Sequence, residues 1–477
     1  MEALVIGGGA SGTACAAGLL AQGHLVTIID AGVGFEEMIY QREENFTSLS
    51  AQNQNSFILT SESIETLKSE VHPRKLFFGS PLSDNFSGSN VPGSLIGAQR
   101  SLVLGGLTNI WGATMLPLKK EDGANIKDFL VSTLDIEKVI SSLDIPVSSQ
   151  INNFCKTNRI YTMPLAISNS KCKLSGFCLS GCPNNAIWSS RVSLLKMMEN
   201  KDLTIKASLR VVGVEEINER VKVSIVGHDG KISFMECDQL FLAAGPISTF
   251  EILANSNLVP NSIKLVDSAM TIVPMISLRH LIFSKTPKRA LTSDFIRFRY
   301  GGSKVAFAQL YPPSNFLAPK IRFFANRILK NKRFGLFVFR FISVAMIYQA
   351  GVDSKSIKIE AMKTQNGLEN SLIFSPQGFN RKIRLPIVTR MEFLKKGLLP
   401  FMSLKKIAPA GTGIHYGSTL PTVNVSKPFT TDSMGLLNGC NRINVVDGSI
   451  LPEIPAGPIT LSLMANSFKI GNSFKKE

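Results

Sequence analysis

What is scarce in this chain of 477 residues limits what it can be. Charged residues reach only 18% against 44% hydrophobic, which excludes a disordered chain and leaves ample apolar material for a core. No uncharged apolar run is long enough to cross a bilayer, which takes roughly 20 residues. The N-terminus runs straight into a strand-like segment without a basic region or cleavage site. A spanning helix and secretion are therefore both unexpected. Cysteines number seven, an odd count at irregular spacing, so a disulfide framework is not expected and a reducing cytoplasm is. Acidic residues are also short, 35 against 52 Lys and Arg, for a net charge of +17. That balance asks for an anionic neighbour: nucleic acid, a phosphorylated substrate or a membrane surface. No nucleic-acid-binding motif accompanies the charge, so nucleic acid is not expected. Internal repeats and low-complexity linkers are missing too, and a chain this long calls for a cofactor domain plus a substrate domain.

The first thirty residues carry the strongest local signal. Ala3 to Ile6 forms an apolar strand that breaks at Gly7-Gly8-Gly9-Ala10-Ser11-Gly12, and a small-residue helix follows over Thr13 to Gln22. Gly7 permits the tight turn, Gly9 lets backbone approach a pyrophosphate, and Gly12 lets the helix lie close on the strand. The helix start, with Ala10 and Ser11, offers unpaired N–H groups to phosphate. A second strand, Leu25 to Ile29, ends in Asp30, placed to accept from a ribose hydroxyl. This loop holds an ADP half and does not by itself separate FAD from NAD.

Three later segments read as returns to the same domain. Arg100 to Pro117 contains Gly105-Gly106-Leu107-Thr108-Asn109-Ile110-Trp111-Gly112, with glycines that let backbone lie against a flat ring or a phosphate. Strands over Leu203 to Val212 and Val221 to Val226 lead to Gln239 to Ala243, Ala244-Gly245 and a helix from Ser248 to Asn255, with Val211 or Val212 where backbone can meet an adenine. The last is Asn444 to Ser449, a buried strand that ends in Asp447-Gly448, followed by a helix from about Thr460 to Gly471.

The stretches GGGASG, VLGGLTNIWGA, QLFLAAGPISTFEILANS, HYGSTLPT and NVVDGSILPEIPAGPITLSLMANSFKIG resemble the glucose/methanol/choline (GMC) oxidoreductases. The resemblance implies FAD rather than NAD, with Asp447 and Gly448 beside the ribityl and pyrophosphate, Ile459 and Thr460 among the cofactor contacts, and an active site facing the flavin ring.

Oxidising an alcohol at a flavin requires a base for the hydroxyl proton, and imidazole suits that task. Histidines are few: His24, His72, His228, His280 and His415. His24 and His228 fall in turns and are expected to be solvated, while His72 and His280 lie outside any motif. His415 sits in the glycine-rich run Gly411 to Thr419 and matches the family's catalytic histidine. The family usually adds a second polar side chain before the last helix. Pro458 or Gly457 stands there instead, so Tyr416, Asn109 or a water would have to take its place.

Two further stretches leave alternatives open. Cys172, Cys178 and Cys182 approximate an iron–sulfur run, but Ser175 stands where a fourth cysteine belongs. The expectation is a tight loop with no metal, Cys155 being the one other thiol that could join them. From Phe316 to Phe341, Lys and Arg alternate with bulky apolar residues at helical spacing. A core helix with solvated charges, a membrane-surface or lipid-linked-substrate contact, and a phosphorylated-sugar site all fit.

The expected fold is α/β, a Rossmann-like FAD-binding domain with an inserted α+β substrate domain. Residues 1–34, 96–117, 156–260 and 405–477 are expected to form the first and 261–404 the second, with 35–95 and 118–155 covering the cofactor. The expected function is an FAD-dependent oxidoreductase acting on a CH–OH group of an alcohol, sugar or lipid-linked sugar, a dehydrogenase rather than an oxidase, with His415 as base and an acceptor the sequence does not identify. The competing expectation is a flavin-binding protein with little or no turnover. The expected location is the cytoplasm, with the inner face of the membrane in reach through 316–341.

Overall fold

The computed structural model describes residues 1–32, 76–77, 80–81, 98–101, 103–123, 125–126, 129–149, 157–174, 176, 178–182, 184–227, 229–279, 289–301, 304–313, 341–364, 370–378, 383–423 and 427–475. Histidines 72, 228 and 280, Cys155 and nearly all of the basic stretch 316–341 lie outside them.

Strand β1 (Glu2–Ile6), helix α1 (Ala10–Ala21) and β2 (Leu25–Ile29) form the expected βαβ unit, its strands parallel with Glu2 opposite Leu25 and Ile6 opposite Ile29. The sheet is completed by β6 (Leu203–Lys206), β10 (Gln239–Leu242) and β20 (Ile443–Val445), in the order β20-β10-β1-β2-β6, all parallel. Such a sheet is covered on both faces, and its strands accordingly read as near-continuous apolar runs. Helix α1 starts at Ala10 rather than Thr13, directly off the glycine turn.

The final helix, α6 (Thr460–Ser473), lies against α1. Two glycines set how close the helices come. A Cβ on Gly18 would sit 2.3 Å from the Phe468 carbonyl oxygen, and one on Gly471 would sit 2.3 Å from that of Cys15. Both clashes are with backbone, so no rotamer change relieves them.

The edge strands of this domain come from several places in the chain. A three-stranded antiparallel sheet joins β7 (Arg210–Ile217), β8 (Arg220–Val226) and β9 (Ile232–Cys237). Another joins β11 (Ser262–Leu265), β16 (Ser356–Lys363) and β17 (Asn370–Gln377), and its Ile357, Ile359 and Phe374 belong to the same core as β1. Helix α4 (Pro246–Asn255) follows β10; it starts two residues before the expected Ser248 because Pro246 suits the first helical turn, where no N–H is needed.

The second layer is a seven-stranded sheet ordered β18-β12-β15-β14-β13-β5, with β19 also on β12. Its strands are β5 (Ile160–Thr162), β12 (Ala269–Ser277), β13 (Asp294–Arg299), β14 (Val305–Tyr311), β15 (Ile342–Gln349), β18 (Leu398–Pro400) and β19 (Lys406–Ile407). Strands β15 and β16 each run 8 residues. Pairing crosses the expected boundaries at 261 and 405: β16 serves the cofactor-domain core, whereas β5 and β19 edge the substrate sheet. Hydrophobic alternation fixes which face of a strand is buried, but not which core buries it. The remaining elements are a two-residue hairpin, β3 (Leu76–Phe77) and β4 (Ser80–Pro81), and helices α2 (Thr133–Ser142), α3 (Ser190–Met197) and α5 (Ile387–Lys395).

The architecture is the α/β one expected, a Rossmann-like domain with an inserted α+β domain. A buried ion pair ties the layers together: Arg297 on β13 donates to Asp122 from Nε at 2.9 Å and from an Nη at 3.2 Å. Gly18→Val is expected to destabilise the fold by roughly 1–3 kcal/mol or more, since an overpacked contact with backbone relaxes poorly; a thermal midpoint equal to the parent's would show that the α1–α6 approach is not tight.

Candidate functional site

A cavity of about 1470 Å³, its open mouth included, runs along the C-terminal ends of the parallel strands and on beneath the second sheet. One end is built by Gly7, Gly9, Ala10, Ser11 and Asp30, the middle by Gly106, Thr108, Gly245, Asp447 and Gly448, and the far end by Thr114, Gln309, Tyr311, Tyr348 and His415. Ligands of open α/β sheets bind at these strand ends.

At the first end, α1 has Gly9 as its N-cap residue, with no capping side chain and no acidic residue in its first turn, leaving its N–H groups for an anion. Gly7 has φ +102°, and a Cβ there would lie 2.6 Å from the Ala243 carbonyl oxygen. Asp30 accepts from the Gly8 and Gly32 N–H groups at 2.5 and 2.6 Å, and burial pushes its carboxyl up while those two bonds pull it back. Arg100 reaches the same end and donates to Glu251 and, at 3.4 Å, to Ser248 Oγ.

In the middle, Asp447 caps a 3-10 turn by accepting from Ser449 N–H at 2.9 Å. It also accepts from Gly245 N–H at 2.9 Å and from Thr249 Oγ at 2.5 Å. Burial raises its carboxyl above the ordinary range, with Thr249 and Ser449 opposing. Thr108 Oγ donates to the Gly105 carbonyl and accepts from Ser190 N–H, which fixes the glycine turn on α3.

At the far end, His415 lies between Ile414 and Ser418, both at positive φ. Its loop is held by Asp267, whose oxygens accept from Gly413 N–H at 2.9 Å and His415 N–H at 3.0 Å, while Ser268 Oγ lies 3.3 Å from the imidazole Nδ1. Asp267 is 2% exposed, and burial pushes its carboxyl up to about 7 against the pull of these N–H groups. Across from it, the Tyr348 ring sits 5.1 Å from the His415 ring at an interplanar angle of 32°. The Tyr311 hydroxyl donates to Gln309 Oε1 at 2.8 Å. Burial raises both tyrosine hydroxyls, so they stay protonated donors.

Most residues singled out from sequence meet in this cavity: Gly7, Gly9, Ala10, Ser11, Asp30, Gly106, Thr108, Trp111, Gly112, Ala244, Gly245, His415, Asp447, Gly448, Ile459 and Thr460 all line it. Five do not. Gly12 packs the helix on the turn, where a Cβ would come 1.9 Å from the Gly7 carbonyl oxygen, and Gly105 takes the left-handed conformation beside Arg191. Asn109 spends its side-chain amide on the Leu104 and Gly106 carbonyls, both at 3.0 Å. Val211 and Val212 are buried in β7, with the Val212 carbonyl taken by Asn255 at 2.9 Å.

Two suggested substitutes for the second polar group are therefore committed elsewhere, since the Tyr416 hydroxyl donates to the Gln99 carbonyl just as Asn109 braces its own turn. Neither Gly457 nor Pro458 lines the cavity, and a Cβ on Gly457 would lie 3.5 Å from the Asp122 carboxylate. His24 is buried rather than solvated, its Nε2 2.6 Å from the Phe474 carbonyl oxygen. Sequence reasoning missed Gln309, Tyr311, Tyr348, Asp267 and Arg100. Gln309 and Tyr311 alternate onto one face of β14, a signal shared by any half-buried strand, and nothing local marks it as the cavity face.

Cys172, Cys178 and Cys182 share one loop. The Cys178 and Cys182 sulfurs accept from Ala290 and Ala186 N–H groups, each at 3.3 Å. Burial pushes the Cys178 thiol up to about 11, with Cys182 and Cys172 adding to the push. Among the described residues no three His, Cys, Asp or Glu side chains are arranged to hold a metal, and no helix is long and apolar enough to cross a membrane.

The chain is similar over its whole length to a solved structure of pyridoxine 4-oxidase from Mesorbium loti, at 13% identity and a TM-score of 0.56, with 99% of each chain covered. At that identity the likeness shows a shared fold. No protein-family model and no curated protein matches the chain.

Asp267 has a testable signature. With a folded-state value of about 7 against an ordinary 3.8, its contribution to stability is present at low pH and is lost as pH rises through about 7. Asp267→Asn removes that proton, so the variant's thermal midpoint relative to the parent's should climb with pH across that window. A difference that does not vary with pH would refute the assignment.

Proposed function

We propose that the chain is an FAD-dependent oxidoreductase of the GMC family that acts on a CH–OH group. The observation that carries the reading is one cavity that joins the uncapped helix start and the buried carboxylate of Asp30 at one end to His415 at the other. The residues present fit the cofactor. Gly9 and Gly245 line the cavity, and a Cβ on either would touch nothing among the described residues, so that space is left for a ligand. Gln99 Nε2 and Arg100 Nε are buried donors without partners among the described residues at the same cavity, suited to phosphate or carbonyl oxygen.

In this reading Gly7 to Ser11 hold the pyrophosphate, Asp30 the ribose, and Asp447 and Gly448 the ribityl side. FAD bound there supplies a hydride acceptor at N5. His415 takes the hydroxyl proton of the substrate, its loop fixed by Asp267 and its ring oriented by Ser268. The Tyr348 hydroxyl stands in for the polar side chain that Gly457 and Pro458 lack. Among the described residues its hydrogen bond is a 3.9 Å approach to the Met346 sulfur, and burial keeps it protonated, ready to donate to the developing oxyanion. The substrate is an alcohol, sugar or lipid-linked sugar, and the enzyme is a dehydrogenase rather than an oxidase, working in the cytoplasm.

His415→Ala is expected to keep bound flavin and to lower its anaerobic reduction by substrate by about 10²- to 10⁴-fold, the usual contribution of a positioned base. An unchanged reduction rate removes His415 from the chemistry. Tyr348→Phe, with flavin likewise retained, should cost on the order of a hundredfold in the same step; a rate within twofold of the parent's, roughly the scatter expected for an uninvolved residue, would dismiss Tyr348. The bare backbone at Gly457 and Pro458 favours one other reading, a flavin-binding protein without turnover. Holoprotein that no alcohol, sugar or lipid-linked sugar bleaches under anaerobic conditions would establish it.

A further inference from the structure

Helix α5 is turned inside out. Its inward residues are Thr389 and Phe393, whereas Ile387 is 76% exposed, Val388 and Met391 53% each and Leu394 48%. At 3.6 residues per turn Ile387, Met391 and Leu394 form one outward stripe with Val388 beside it. The apolar surface continues onto adjoining elements. Leu278, Leu399, Leu404 and Ile407 are each exposed by 38% or more. Leu278 N–H donates to the Gly397 carbonyl at 2.8 Å just beyond α5, and β18 and β19 both pair along the outer edge of β12. A contiguous exposed apolar patch on a polar-rimmed surface marks an interaction site.

The rim identifies the partner's charge. Between Ile383 and Ile407 the sequence carries six Lys and Arg, namely Arg384, Arg390, Lys395, Lys396, Lys405 and Lys406, and a single acidic residue, Glu392. Glu392 is paired with Lys395 at 2.6 Å, and Lys396 approaches Asp294 at 3.8 Å, which leaves the rim positive. Protein-binding surfaces are depleted in Lys at their centres. The hydrophobic residues from Ile383 to Ile407 are aliphatic residues, methionine and two phenylalanines, set beside four Lys and two Arg. That composition is the one that lies in a headgroup layer, with Lys and Arg stems reaching from the apolar boundary to lipid phosphate.

From this we infer that the outer face of α5, together with the β18 and β19 edge, docks the protein on an anionic lipid surface. The inference is independent of the chemistry at His415.

The test is co-sedimentation of the full-length holoprotein with vesicles of phosphatidylcholine alone or of equal parts phosphatidylcholine and phosphatidylglycerol. Two variants accompany the parent: Ile387→Ser, Met391→Ser and Leu394→Ser combined, and Arg384→Glu with Arg390→Glu. All five side chains are exposed, and retention of bound flavin and of the thermal midpoint checks the fold. The parent should bind the anionic vesicles and not the neutral ones, less strongly at high salt, and each variant should partition about tenfold less or weaker. A parent that ignores anionic vesicles overturns the inference. Variants that bind as the parent does overturn it too, because the contact would then lie elsewhere in the chain, the stretch 314–340 included. A parent dimer that the apolar variant converts to monomer, with neither form binding vesicles, would make the face a protein interface instead.

Discussion

The cavity depends on one buried carboxylate. Asp447 stands where β20 ends, and it accepts from Gly245 and Thr249 at the start of α4 and from Ser449 in its own turn. Those bonds join the ends of neighbouring parallel strands, β20 and β10, to a helix start. A carboxyl group this deep persists only when its oxygens are hydrogen-bonded. Its neighbours are accordingly held in place, and the floor of the cavity has little freedom.

The far end repeats the device with a different carboxylate. Asp267 comes from the approach to β12, in the other layer, and takes the N–H groups of Gly413 and His415. The loop bearing the imidazole therefore belongs by sequence to the C-terminal return and by hydrogen bonding to the substrate sheet. Its two positive-φ residues, Ile414 and Ser418, carry a backbone strain that needs such outside support. Gln309, Tyr311 and Tyr348 face the same space from the sheet, so the chemistry proposed for His415 draws on both layers.

Between the layers lies the Asp122–Arg297 pair. The segment at Gly457 backs onto the Asp122 carboxylate and contributes Ile459 and Thr460 to the cavity instead of a side chain at 457 or 458. In the proposed reaction the polar partner for the reacting oxygen comes from the sheet, where Tyr348 lies across from His415.

The glycine turn, α1, Asp30 and the C-terminal strand and helix were legible in the sequence, because each is a local rule: strand, turn and helix in immediate succession, with glycine where only glycine fits. The place of His415 at the cavity was legible from its glycine-rich run. Gly12, Gly105 and Asn109 were legible as important, but their work is to pack and brace the turns that present other residues to the cavity. Val211 and Val212 illustrate the limit, since a strand pattern predicts burial without saying against what. Asp267, Gln309, Tyr311, Tyr348 and the assignment of β5, β16 and β19 to their sheets required the tertiary structure. Antiparallel pairing and buried hydrogen bonding join residues far apart in the chain, and no local spacing encodes which distant edge or backbone N–H will complete them.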